Sequence, residues 1–231
     1  MNLPNALTVG RIVITPLIAI LPFAARPGPR FVAFALFCAA AMSDYADGVL
    51  ARSRKQETNL GRLLDPLADK LLLVGTFVPM WALMQPTIAT GDPRGSFGTN
   101  EFLLHSLPFL TPWGDVGLPW WIVFIVLGRE VAMTVFRQAA ARRGVVIAAI
   151  GPAKWKTGVQ LFWQGAAYFW FFLSTLALRR GWVGPIWRTT ALLIGTAGTL
   201  AMSVAVLLTL YSLWLYLSRY GRVFVQSGTG G

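Results

Sequence analysis

Residues 31–85 read FVAFALFCAAAMSDYADGVLARSRKQETNLGRLLDPLADKLLLVGTFVPMWALMQ. Apolar runs at both ends enclose a polar middle that holds four aspartates, Asp44, Asp47, Asp65 and Asp69. Asp44 and Asp47 are three apart, Asp65 and Asp69 four apart, so each pair falls on one face if its segment is helical. The polar linker is short enough to make the two apolar segments antiparallel neighbours. Both acidic pairs then come to one end of a helix pair, at similar depth.

The rest of the chain has the same character. Of its 231 residues, 55% are hydrophobic and 13% charged, against roughly 25% charged in soluble domains. Mean hydropathy is +0.60. A helix of about 20 apolar residues crosses the hydrocarbon core of a bilayer, and the pattern predicts six such spans, near 7–25, 31–53, 64–85, 118–140, 155–177 and 189–217. The expected fold is an all-α integral membrane protein, one six-helix catalytic domain over residues 1–226 with a disordered tail at 227–231. Asn2 to Arg11 lacks the basic region and cleavage site of a signal peptide and reads as the entry to the first span. Cys38, the single cysteine, falls inside a span and is expected to be a small packing residue.

The net charge of +11 follows the ends of the spans and not a stripe interleaved with aromatics, which argues against nucleic acid as a partner. Arg11, Arg52, Arg54, Lys55, Arg62, Arg137, Arg142, Arg143, Lys154, Lys156, Arg219 and Arg222 share one side. Arg26, Arg30, Arg94, Arg179, Arg180 and Arg188 lie on the other, with Asp92, Glu101 and Asp115. Basic residues accumulate on the cytoplasmic side. Both termini and the aspartates are therefore expected in the cytoplasm, and the Gly/Pro-rich loop 86–119 outside. His105 in that loop has no neighbouring His or Cys and is not expected to bind metal.

Placing the aspartates together is costly. Each costs up to about 2.5–3.5 kcal/mol on the insertion scale near the membrane centre. Like charges ~4 Å apart repel by about 4 kcal/mol at an effective dielectric near 20. A cation must offset this, and four carboxylates without His or Cys form a hard oxygen set suited to Mg²⁺ or Mn²⁺. Surface ion pairing with Arg52, Arg54, Lys55, Arg62 and Lys70 is the plainer alternative, but those bases are scattered whereas the acids keep helical spacing. A cation transporter would favour acids at mid-bilayer on several helices. A non-catalytic scaffold has no use for acids in metal-binding register.

With its small residues the segment spells D-x-x-D-G-x-x-A-R, eight residues, then G-x-x-x-D-x-x-x-D. These fixed positions are Asp44, Asp47, Gly48, Ala51, Arg52, Gly61, Asp65 and Asp69. This resembles the signature of the CDP-alcohol phosphotransferases at every one of them. NLPNALTVGRIVITPL at residues 2–17, GREVAMTVFRQAAARRGVVIAA at 128–149 and GPAKWKTGVQ at 151–160 resemble the phosphatidylglycerophosphate synthase branch. The likeness covers residues 2–177. Beyond it, the last fifty residues match only as a hydrophobic span, and the loop 86–119 is longer than usual for the family.

The resemblance implies a six-helix membrane enzyme, a homodimer, that moves the phosphatidyl group of CDP-diacylglycerol to glycerol 3-phosphate. It implies two divalent ions held by Asp44, Asp47, Asp65 and Asp69, with Asp69 taking the hydroxyl proton. Asn5, Thr8, Gly48, Ala51, Arg52 and Gly61 are then expected at the CDP moiety. Arg129, whose charge lies within the apolar run of the fourth span, is expected to face the bundle interior. It and Arg137, Lys154 and Lys156 are expected to bind the acceptor phosphate, with pairing to Glu130 the simpler alternative for Arg129 and plain positive-inside charge for the other three. Phosphatidylglycerol, inositol phosphate and serine are the competing acceptors.

Overall fold

The structure, a computed structural model, describes residues 3–54, 59–85, 106–143 and 151–220; the side chains of residues 3–4, 44–54, 59–63, 65 and 151–154 lie outside that description. Among the described residues six α-helices follow one another: α1 Leu3–Ile20, α2 Pro27–Arg54, α3 Asn59–Leu83, α4 Trp120–Arg142, α5 Gly151–Arg180 and α6 Pro185–Tyr220. Each overlaps one expected span, with ends displaced by several residues. Their ends are set locally. Pro27 and Pro185 open α2 and α6, where a missing N–H is no loss. Gly181, at φ +62°, closes α5. Its N–H and that of Trp182 reach back to the carbonyls of Leu178 and Ala177, the left-handed glycine stop of many helices.

Among the described residues, four segments are long and apolar enough to cross a membrane: Asn5–Phe23, Pro66–Leu83, Trp155–Arg180 and Pro185–Tyr220. Within the described side chains α2 is apolar over Pro27–Ser43, and α4 carries Arg129 and Glu130 near its middle. The surface is apolar: Val13, Phe124, Leu193, Leu207 and Trp214 all point outward. Polar groups turn inward and satisfy one another, as where Gln164 Nε2 donates to Thr76 Oγ1 at 2.8 Å and Tyr168 Oη to the Ile18 carbonyl at 3.2 Å. This arrangement suits a protein whose solvent is lipid.

The chain divides into two compact units. The first comprises residues 1–118 and 164–198, the second residues 119–163 and 199–231. In the first, α1 packs closely on α3, and a Cβ on Gly75 of α3 would lie 2.8 Å from Thr15 Cγ2 of α1. Buried Arg30 ties the start of α2 to its surroundings by donating to the Pro22 carbonyl and to Thr175 Oγ1.

The loop expected over 86–119 contains a structure that an all-helical reading missed. Strands β1 Phe109–Thr111 and β2 Gly114–Val116 pair antiparallel, with Leu110 opposite Asp115. Pro112 and Trp113 make the turn, completed by Gly114 at φ +127°. The hairpin is seated by tertiary contacts. Trp170 Nε1 donates to the Pro108 carbonyl at 2.9 Å. On α6, a Cβ at Gly195 would lie 1.9 Å from the Leu110 carbonyl oxygen, and one at Gly198 would lie 2.4 Å from the Phe109 ring. Three-residue strands leave too little alternation to be read from sequence.

Candidate functional site

The aspartate motif lies at two helix ends. Asp44, Asp47, Gly48, Ala51 and Arg52 occupy the last turns of α2, while Gly61, Asp65 and Asp69 occupy the first turns of α3. Except for Asp69, the side chains of these motif residues lie outside the described residues. Asp69 is exposed at 59%, and its Oδ1 accepts a 3.0 Å hydrogen bond from Nη1 of Arg11, itself only 2% exposed.

Arg11 comes from a polar stripe on α1. Asn5, Thr8, Arg11 and Thr15 recur every three or four residues and are all buried, as residues on one helix face must be. Thr15 Oγ1 closes onto the Arg11 carbonyl at 2.7 Å. Asn5 and Thr8, expected at the CDP moiety, thus share a face with the arginine that holds the last motif aspartate. The sequence presents Arg11 as a charge at a span end and as part of the family-like opening segment, but without a partner or a role. Its spacing of three from Thr8, inside an otherwise apolar helix, was the available signal.

Among the described residues there is no group of three or more His, Cys, Asp or Glu side chains gathered around one point. Asp69 alone represents the carboxylate set there. The motif's donors are four carboxylates without sulfur or imidazole, and Asp69 keeps an exposed carboxylate, a donor set that fits a hard divalent ion.

The second unit holds the expected acceptor cations. Arg129 of α4 and Lys156 of α5 are 7% and 4% exposed, and both donate to the same oxygen, Oε1 of Glu130, with Arg129 Nη1 at 3.0 Å. Nη2 of Arg129 donates to Ser212 Oγ on α6 at 3.0 Å. Ser212 in turn donates to the Thr209 carbonyl. Arg137 is exposed; its guanidinium lies 5.7 Å from the centre of the buried Tyr216 ring and 3.5 Å from that hydroxyl. The Lys154 side chain lies outside the described residues.

The structure therefore joins Arg129 and Lys156 through Glu130 and sets Arg137 against α6. The pairing of Arg129 with Glu130, weighed as its simpler explanation, is present, and the same carboxylate also holds a second buried cation. Breaking such a pair by removing one partner costs about 3–5 kcal/mol, because a charge is left uncompensated. Ser212 and Tyr216 were missed because α6 reads as a plain apolar span.

A family model described as CDP-alcohol phosphatidyltransferase matches residues 1–225. A probable phosphatidylglycerophosphate synthase of Mycobacterium tuberculosis is 29% identical over 221 residues, covering 94% of this chain and 81% of that protein. A CDP-diacylglycerol–glycerol-3-phosphate 3-phosphatidyltransferase of Cereibacter sphaeroides is 33% identical, covering 69% of this chain and 60% of that protein. A CMP-forming cardiolipin synthase of Oryza sativa is 28% identical, covering 70% of this chain and 44% of that protein.

Proposed function

Because the chain belongs to the CDP-alcohol phosphatidyltransferase family, we propose that it transfers the phosphatidyl group of CDP-diacylglycerol to glycerol 3-phosphate, forming phosphatidylglycerophosphate and CMP. The observation that carries this reading is the complete eight-position motif at the ends of α2 and α3. The acceptor is supported by the names of the relatives matched over most of this chain and by the buried cations of the second unit, which suit a phosphorylated alcohol.

The acceptor hydroxyl attacks the β-phosphorus of the donor. A new P–O bond forms, the bond to the bridging diphosphate oxygen breaks, and CMP leaves with that oxygen. Asp44, Asp47, Asp65 and Asp69 would hold two divalent ions, Mg²⁺ or Mn²⁺. When bound, these neutralise diphosphate charge and make the phosphorus more electrophilic. Asp69 takes the hydroxyl proton as general base, and Arg11, through Oδ1, fixes how that carboxylate is turned. Asn5, Thr8, Gly48, Ala51, Arg52 and Gly61 serve the CDP moiety. Arg129, Arg137, Lys154 and Lys156 bind the acceptor phosphate through charge-assisted hydrogen bonds, typically about 1.5–3 kcal/mol each.

The charge asymmetry supports a cell-membrane enzyme with termini and active site on the cytoplasmic side, working as a single catalytic domain, and family likeness supports a homodimer. With Cys38→Ser as background, Arg143→Cys and Val183→Cys should label from opposite faces of sealed vesicles. Labelling of both from one face contradicts this topology. The reaction is tested with purified protein, CDP-diacylglycerol, Mg²⁺ or Mn²⁺, and radiolabelled glycerol 3-phosphate, phosphatidylglycerol, inositol phosphate and serine. Label should enter lipid from glycerol 3-phosphate, with CMP released. Transfer only to another acceptor overturns the assignment.

A further inference from the structure

We propose that Glu130 is a positioning residue of the acceptor-phosphate seat, holding Arg129 and Lys156 at the separation one phosphate can bridge; this rests on the reading above that those two cations meet the acceptor phosphate. They come from different helices, α4 and α5; Arg129 adjoins the acid in sequence, whereas Lys156 lies 26 residues beyond it. What brings them together is a single oxygen, Glu130 Oε1, which accepts from both. Two donors on one acceptor stand no more than roughly 6 Å apart. Two buried cations that close repel one another strongly, so a carboxylate between them is what lets the pair persist before an anion arrives. Two positive charges against one negative leave a surplus positive charge for that anion.

The hold on Arg129 has a second point. The Ser212 hydroxyl proton is committed to the Thr209 carbonyl, which leaves a lone pair for Nη2 of Arg129. Glu130 at Nη1 and Ser212 at Nη2 together fix the plane of the guanidinium. Arg129 and Lys156 carry eight donor hydrogens between them, and the contacts among described residues use three: two to Glu130 and one to Ser212. Arg129 Nε is buried without a hydrogen-bond partner among the described residues. Buried donors are ordinarily satisfied. The oxygens of a phosphate, all strong acceptors, are suited to the ones left over.

Two effects of removing the carboxylate oppose each other, so the sign of the result is decisive. If Glu130 only neutralises charge, Glu130→Gln makes the seat more positive and lowers the KM for glycerol 3-phosphate. If Glu130 positions the cations, the KM rises. The expectation is a rise of roughly fivefold or more, with the KM for CDP-diacylglycerol unmoved and kcat changed by less than about threefold. Ser212→Ala, which keeps every charge, should raise the same KM by roughly two- to threefold.

Arg129→Gln separates the inference from the reading beneath it. If that variant leaves the KM for glycerol 3-phosphate unchanged, the acceptor seat itself is misassigned. If it raises the KM while Glu130→Gln lowers it or leaves it alone, the seat stands and the positioning role is overturned. Should Glu130→Gln fail to insert, Ser212→Ala decides: a raised KM supports a positioned guanidinium, and an unchanged one refutes it.

Discussion

In the first unit a deeply buried cation holds an exposed acid, whereas in the second a more sheltered acid holds two deeply buried cations. Arg11 is 2% and Asp69 59% exposed, while Arg129 and Lys156 are 7% and 4% exposed around a Glu130 that is 29% exposed. In both places the cation belongs to the scaffold. What differs is how committed the acid is. Glu130 has two cations on one oxygen and is part of the frame. Asp69 is more exposed, which suits the metal and proton roles proposed for it. The first unit should therefore govern turnover, and the second the capture of the acceptor.

That division is broken most severely at Asp69. Asp69→Asn should insert normally but lose activity by about 10³-fold, nearly all of it in kcat, since proton removal and metal holding fail together. Near-normal rates in purified protein would remove Asp69 from the mechanism. Arg11→Gln tests whether the buried cation matters to that acid. Loss of one charge-assisted hydrogen bond, typically about 1.5–3 kcal/mol, predicts a fall in kcat of roughly ten- to a hundredfold with the KM for glycerol 3-phosphate unchanged. A fall confined to KM would place Arg11 with the acceptor instead.

In the second unit, Arg129→Gln should raise the KM for glycerol 3-phosphate by about tenfold while sparing that for CDP-diacylglycerol. The smallest effect is expected at Tyr216. Its hydroxyl lies 3.5 Å from an exposed Arg137, beyond ordinary hydrogen-bond length, so Tyr216→Phe should change the same KM by less than about twofold. A larger change would mean that Tyr216 itself meets the substrate.

The two regions were legible in the sequence to different degrees, for a physical reason. Spacing along one helix is visible in a chain, so the acid pairs at 44 and 47 and at 65 and 69 stood out, as did the six apolar runs that became helices. Contacts between helices are not visible in this way. Nothing local to Lys156 announces that it shares an oxygen with Arg129 across 26 residues to Glu130. Nothing in the apolar run of α6 marks Ser212 as an acceptor for Arg129. Arg11 lay between: its register with Asn5 and Thr8 was readable, but its partner 58 residues away was not. The hairpin at 109–116 was hidden for the same reason, since Gly195, Gly198 and Trp170 hold it from distant helices.

The division of labour is tested most directly by steady-state kinetics of Asp69→Asn and Arg129→Gln, measured with both substrates varied and radiolabelled glycerol 3-phosphate followed into lipid. Asp69→Asn should lose kcat with little change in the KM for glycerol 3-phosphate, and Arg129→Gln should raise that KM with kcat largely kept. Loss of the same parameter in both variants would contradict it.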